Sequence, residues 1–383
     1  MIKQKIVDLL KKDIMLSVSI IAAVASMFIT PPSKELLKDI DWHTLGTLFM
    51  MLTVLEGFKQ ENVFRPIIML STKFKTMVAI SLFLIFGVFF TSMFVTNDVS
   101  LIIFVPLTIL LFRGGEREHY ILPVISMENI AAIRGSLLMP FGSPQNLFLY
   151  SQSGTNAANF ILHMSPLCIM SAILLIIFVT VLYRKNLKED INIDGRKVAG
   201  EWTKEGKVCR ISYILLFVMI LLTIVSRTKY WPVAVVITII TVLIVSPKLF
   251  TKVDYVLLLT FFCFFIFSSS IVANAEISQF LMKAVAGREY WWGIGLSQLI
   301  SNVPASIVLY PFSKNFAGLI YGADTAGLCS LIGSLASVIN YRIYVREYPG
   351  KGKDFVKTFT LICWAFFIIV VIPGWLLSHW AFF

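Results

Sequence analysis

The sequence predicts an all-α polytopic membrane protein: an inverted-topology repeat with two re-entrant hairpins and two discontinuous helices. Three observations carry that prediction. The 383-residue chain is 57% hydrophobic and only 14% charged. Apolar stretches at Ile14–Ile29, Phe160–Tyr183, Trp231–Val245 and Phe359–Leu377 approach or exceed the about 20 residues a helix needs to cross a bilayer core. Two polar sequences deep in apolar segments recur in the other half. Thr96-Asn97-Asp98 and Gly142-Ser143-Pro144-Gln145-Asn146 are echoed by Ser301-Asn302-Val303-Pro304 and Gly333-Ser334-Leu335-Ala336-Ser337. Lipid offers no partner to backbone amides, so such breaks survive only inside protein or against a watery cavity. Paired breaks in two halves are the sequence pointer to a secondary transporter's binding site.

The elements follow in order. Residues 1–13, with Lys3, Lys5, Lys11 and Lys12, read as a basic cytoplasmic leader, since no small-residue cleavage site follows. Repeat one is expected over 14–183. It holds spans 14–30 and 43–58, a hairpin over 76–112 with arms 76–95 and 99–112, a broken helix 121–150 and a span 159–183. A charged linker at 184–210 reads as solvated, and a linking span follows at 211–226. Repeat two is expected over 231–381. It holds spans 231–247 and 254–273, a hairpin over 290–316 with arms 290–300 and 304–316, a broken helix 324–342 and a final span 357–381. Ile29-Thr30-Pro31 before Asp41-Trp42 resembles Val245-Ser246-Pro247 before Asp254-Tyr255. Each repeat has an even number of crossings, so the odd linking span inverts the second relative to the first.

Charge sets the orientation. With the N-terminus inside, inside segments collect Lys59, Arg65, Lys73, Lys75, Arg113, Arg117, the linker cations, Lys248, Lys252, Arg342, Arg346, Lys351, Lys353 and Lys357. Outside segments carry only Lys34, Lys38, Arg227, Lys229, Lys283, Arg288 and Lys314. Basic residues accumulate in cytoplasmic loops, so the N-terminus is expected in the cytoplasm and the C-terminus outside. The same rule accounts for the net charge of +11 without nucleic acid as a partner. Cys168, Cys209, Cys263, Cys329 and Cys363 are scattered, His43, His119, His163 and His379 do not cluster, and no zinc-site spacing appears.

The polar breaks supply the candidate site. Asp in a helix centre costs about 2.5–3.5 kcal/mol on insertion scales, so Asp98 needs a reason to be there. Asn and Asp suit a hairpin tip, where they would cap the next helix and offer oxygens to a cation. Pro140, Gly142 and Pro144 must break the 121–150 helix. Its broken ends expose carbonyls to a cation and N–H groups to an anion. Ser301 and Asn302 mirror the first tip without an acid. Gly333, Ser334, Ser337 and Asn340 mirror the first break without proline. Arg134 falls inside the membrane and must pair with Asp98, Glu128 or an anionic substrate. No HExxH, GxSxG or paired aspartates appear, which argues against an intramembrane enzyme.

Together, Phe94-Val95-Thr96-Asn97-Asp98 running into Pro106, Gly142-Ser143-Pro144-Gln145-Asn146, Ser301-Asn302-Val303-Pro304 and Ile332-Gly333-Ser334-Leu335-Ala336 resemble the ion transporter superfamily. That group includes arsenite-efflux permeases, divalent anion–sodium symporters, citrate permeases and one class of sodium–proton antiporter. The resemblance implies a scaffold domain, an elevator-like transport domain and a homodimer made through the scaffold. It places Asn97 and Ser143 near one cation, and Asn302 and Ser334 near another. Symporters of the group carry Ser-Asn-Thr at both tips; Asp98 and the Gly-Ser-Leu-Ala stretch look more like the arsenite-permease branch. The expected function is a bacterial inner-membrane carrier of a small anion, coupled to Na⁺ or H⁺ with no other cofactor. The alternatives are a Na⁺/H⁺ exchanger or an arsenite-type efflux permease. In the carrier, Asn97 and Asn302 would cap the tips, Asp98 would hold a cation or proton, and Ser143, Asn146, Ser334 and Ser337 would line the site.

Overall fold

The computed structural model describes residues 14–30, 40–71, 73–191, 206–226 and 228–380. The leader 1–13, the charges at Lys34, Lys38 and Arg227, and linker residues 192–205 lie outside the described residues. Apart from one isolated bridge, Thr76 to Asp190, the described chain is helical or irregular. Six of its helices are long and apolar enough to cross a membrane. The molecule is a polytopic helical membrane protein.

Four helices build the first part: α1 (Ile14–Ile29), α2 (Trp42–Gln60), the short α3 (Arg65–Ser71) and α4 (Met77–Val95). Thr96 separates α4 from α5 (Asn97–Gly114). Next come α6 (Ile121–Ser136) and α7 (Pro144–Ser153), the halves of one broken helix, then α8 (Ala157–Leu182) and α9 (Gly206–Ser226). Then come α10 (Trp231–Val245), α11 (Tyr255–Ala273), the short α12 (Ala275–Val285), α13 (Glu289–Ile300) and α14 (Asn302–Leu309). A second broken helix, α15 (Phe316–Ala326) with α16 (Leu335–Glu347), precedes α17 (Gly352–Ser378).

The two hairpins differ in reach. Arms α4 and α5 have 19 and 18 residues, about 28 Å at 1.5 Å per residue, so each is long enough to cross alone. Arms α13 and α14 have 12 and 8 residues, too short to cross. The short arms suit a re-entrant hairpin; the long first pair is an unforeseen difference. The second broken helix also starts earlier than 324. Tyr310-Pro311-Phe312 closes the hairpin arm as one 3₁₀ turn, and Asn315 then caps α15 by accepting from the Gly318 N–H at 2.8 Å.

The start of the linker is exposed in its side chains at 184–188, as its composition predicts, but docks through its backbone. The Met77 N–H donates to the Glu189 carbonyl at 2.8 Å, and the Ile191 N–H to that of Lys75 at 2.9 Å. Arg117 pairs with Glu189 at 2.7 Å. Residues up to 191 thus dock against the start of α4, and 206–210 already belong to α9.

Packing divides the helices by what they touch. Helix α1 lies along α11, where the Thr30 hydroxyl donates to the Ser270 carbonyl at 2.9 Å. Helix α2 lies against α9 and α10, with Gly46 under the Trp231 ring and Gly57 against Tyr213. In each hairpin the first arm crosses the first half of the following broken helix at a glycine. A Cβ at Gly135 would sit 2.0 Å from the Phe89 carbonyl oxygen, and one at Gly322 would sit 2.3 Å from that of Tyr290. The outer faces of α8 and α17 are apolar and open; Leu162 and Leu361 are 61% and 67% exposed. Lipid tails are as apolar as these side chains, so a bilayer is the solvent such faces fit.

Candidate functional site

Both hairpin tips adopt one backbone conformation. Thr96 has φ 72° and ψ 155°; Ser301 has φ 68° and ψ 160°. This region is nearly reserved for glycine and costs about 1–3 kcal/mol at other residues. It also corrects one expectation. Thr96 and Ser301, not the asparagines, hold the N-cap positions, and neither side chain caps its helix. Asn97 and Asn302 are the first residues of α5 and α14, both buried. The Asn97 side-chain oxygen instead accepts from the Asp98 N–H at 2.9 Å.

The two broken helices also match. Ser143 (φ −148°, ψ 157°) and Ser334 (φ −148°, ψ 140°) hold the N-cap positions of α7 and α16. Pro144 follows Ser143 at the first helical position, where its missing N–H costs nothing. Each break turns back on the helix before it at a glycine. A Cβ at Gly142 would sit 2.2 Å from the Ser136 carbonyl oxygen, and one at Gly333 the same distance from that of Ala326. Asn146 holds the first break together. Its amide nitrogen donates to the Ser136 carbonyl at 3.0 Å, and the Asn146 N–H donates to the Ser143 hydroxyl at 3.3 Å.

Tips and breaks lie side by side. The Asn302 N–H donates to the Gly333 carbonyl at 3.2 Å, joining the second tip to the second break. The rings of Phe94 and Phe141 lie 6.3 Å apart, bringing the first tip beside the first break. The halves then cross over. Helix α5 packs on α16, and α14 packs on α7. The four helices that begin at the tips and breaks therefore share one interior region, with their positive N-terminal ends at the polar sequences.

Arg134 is fully buried and pairs with Asp324 on α15 through one guanidinium nitrogen. A second nitrogen donates to the Thr325 hydroxyl at 3.3 Å. Asp98 and Glu128 are not its partners. Arg134 stands two residues before the end of α6, and Asp324 two before the end of α15. The pair therefore ties the two broken helices at matching positions. Asp98 is partly buried, with one carboxylate oxygen lacking any hydrogen-bond partner, and lies within electrostatic reach of Asp254 and Lys59. Ser337 accepts from the Asn129 amide at 3.1 Å, and the Asn340 amide donates to the Ile125 carbonyl at 2.7 Å.

A cavity of about 170 Å³ opens at the second tip and break. Its lining includes Ser301, Pro304, Thr260, Asp254, Leu335 and Arg342. Of the residues sequence reasoning picked as a site, only Ser301 reaches this cavity. Arg342 was read there only as a loop charge. Its signal was its spacing, two turns into a helix that starts at a polar break.

A family model described as "Citrate transporter" matches residues 2–320. The chain belongs to the citrate transporter family. An uncharacterized transporter of Methanocaldococcus jannaschii is 31% identical over 310 residues, covering 81% of this chain and 83% of that protein. The inner membrane protein YbiR of Escherichia coli strain K12 is 29% identical over 366 residues, covering 91% and 93%. The chain is thus a multi-pass membrane transporter, of a family of carriers rather than enzymes. The family match includes both hairpin tips and the first break, and ends within α15.

Proposed function

We propose that this protein is a secondary carrier for a small carboxylate anion, coupled to Na⁺ or H⁺. The observation that carries the reading is the cavity at the second tip. There Arg342, Ser301 and the N-terminal ends of α14 and α16 line one space, with Asp254 also on its wall. A guanidinium fork and helix N-termini are groups that bind carboxylates. Arg342 is the cation for the substrate; Arg134 is the internal brace. The citrate transporter family makes citrate the first compound to try.

The same reading takes the two halves as an inverted repeat, residues 14–183 and 231–381. What supports it is the paired geometry: the tips Thr96 and Ser301, the caps Ser143 and Ser334, the glycines Gly142 and Gly333, and the caps Asp41 and Asp254 on α2 and α11. On this reading the hairpins and broken helices form the moving unit. Helices α1, α2, α9, α10 and α11 form a scaffold that pairs with a second copy. The N-terminus lies in the cytoplasm.

The test is a thermal-shift screen of purified protein, crossing small anions with Na⁺ and K⁺. A ligand at a hundredfold its Kd adds about 2.7 kcal/mol of stability. Citrate or a related carboxylate is expected to raise Tm, more so in Na⁺, and Arg342→Gln is expected to remove that shift. A second reading, cation exchange without an organic substrate, draws on the unpartnered oxygen of Asp98. It would show as a shift with Na⁺ or pH and none with any anion.

A further inference from the structure

Away from the tips, α5, α6 and α16 enclose a cluster of oxygens with nothing to bind. Glu128, Asn129 and Asn340 are each 0% exposed. One oxygen of the Glu128 carboxylate accepts from the Thr108 hydroxyl; the other has no partner. The side-chain oxygens of Asn129 and Asn340 also have none. Amide orientation is ordinarily an assignment from hydrogen bonds. For Asn340 the partner decides it. The Asn340 Nδ2 faces the Ile125 carbonyl at 2.7 Å, an atom that only accepts. The Asn129 Nδ2 faces the Ser337 hydroxyl at 3.1 Å, whose own proton goes to the Gly327 carbonyl at 3.3 Å. Flipping Asn340 would set oxygen against oxygen. The orphans of Glu128 and Asn340 are therefore acceptors, and Asn129, oriented with its nitrogen on Ser337, adds a third.

The same bonds bring the orphans into one layer. Ile125 bonds Asn340 while Asn129 bonds Ser337, so α6 and α16 run antiparallel with both amides between them. Glu128 adjoins Asn129 in sequence, and Thr108 carries the cluster onto α5, which packs on both helices. Among the described residues no ion pair includes Glu128; Arg134, two turns on, is committed to Asp324. A bare carboxylate in such surroundings is expensive, and unpaired amide oxygens add to the cost. A proton bridges two acceptors. A cation that prefers oxygen ligands takes all three.

We propose that Glu128, Asn129 and Asn340 bind a Na⁺ ion, in a buried site separate from both hairpin tips. The inference rests on the cation-coupled carrier reading and names a position for its coupling ion. With α6 on the first broken helix and α16 on the second, the ion fastens together the halves that Arg134 and Asp324 join one layer away. Its charge neutralises Glu128, so the loaded and empty sites differ by one charge at the centre of the helical unit.

The test compares wild type with Glu128→Gln, which keeps shape and removes the charge. Melting is followed while Na⁺ replaces K⁺ at constant ionic strength, at two pH values, with and without citrate. Wild type is expected to gain stability with Na⁺. Glu128→Gln is expected to lose at least tenfold in apparent Na⁺ affinity, and to melt no lower than sodium-free wild type. Hydrogen exchange on wild type supplies a readout that needs no variant: Na⁺ is expected to protect peptides from 121–136 and 335–347. If Glu128→Gln fails to fold, Asn129→Ala, which keeps the charge, is expected to weaken Na⁺ at least tenfold. An unchanged Na⁺ response in the variants, or protection confined to the tips, overturns the site and leaves sodium coupling standing. A wild type that answers to pH and not to Na⁺, with that answer lost in Glu128→Gln, replaces the sodium ion by a proton and overturns the proposal as stated. A citrate shift that ignores both cations overturns coupling itself, and the site with it.

Discussion

Arg134 and Asp324 form a fully buried ion pair across two broken helices. Such a pair contributes little over apolar packing when intact, but removing one partner strands the other at a cost of about 3–5 kcal/mol. Arg134→Met is therefore expected to lower Tm sharply in detergent, and adding Asp324→Leu is expected to recover most of the loss. The single variant behaving like the double would show that the pair does not hold the helices. Half of this pair was legible beforehand. An arginine inside an apolar run demands a partner, yet Asp324 is 190 residues away, and no periodicity links positions so distant. Its own cue was an acid in the apolar run Phe316–Ala326. At the tips, the strained conformation of Thr96 and Ser301 was not legible, because Thr and Ser rarely adopt it. Thr96→Gly is expected to raise stability by about 1 kcal/mol, a gain a differential melting curve resolves.

The first break was the most readable element, because proline and glycine act through local sterics. Pro144 and Gly142 placed the first break where it occurs. The second was harder to place. Lacking proline, it runs from Gly327 to Ser334, and the sequence marks it only by small and polar residues. Its close turn still depends on glycine. Gly142→Ala and Gly333→Ala would each force a methyl onto a carbonyl oxygen at 2.2 Å. Both are expected to cost more than about 3 kcal/mol, since backbone must move, and to abolish monodisperse protein on size-exclusion. Ala tolerated at either glycine would mean that the breaks do not fold back as described. The short α3 and α12 escaped sequence reading, being too brief for a span pattern. Linker residues 184–191 escaped it too, because charge density says nothing about backbone pairing to Lys75 and Met77.

Across the whole molecule, the two aspartate caps find different surroundings. Asp41 accepts from Gln152 at 2.7 Å and from Ser151 at 3.2 Å, tying α2 to the end of α7. Its counterpart Asp254 lines the cavity that also holds Arg342. With the N-terminus inside, that cavity opens to the cytoplasm. A cysteine at Ile339, which lines it, is expected to react with an impermeant maleimide in inside-out vesicles and not in right-side-out ones. The reverse pattern would turn the molecule over. Counterflow in proteoliposomes tests coupled anion carriage. Vesicles loaded with unlabelled citrate and a fixed Na⁺ concentration are diluted into labelled citrate. A transient overshoot of label that grows with Na⁺ and vanishes in Arg342→Gln is the expected result. Label that equilibrates without an overshoot, or enters equally well without the protein, would exclude coupled carriage by this protein.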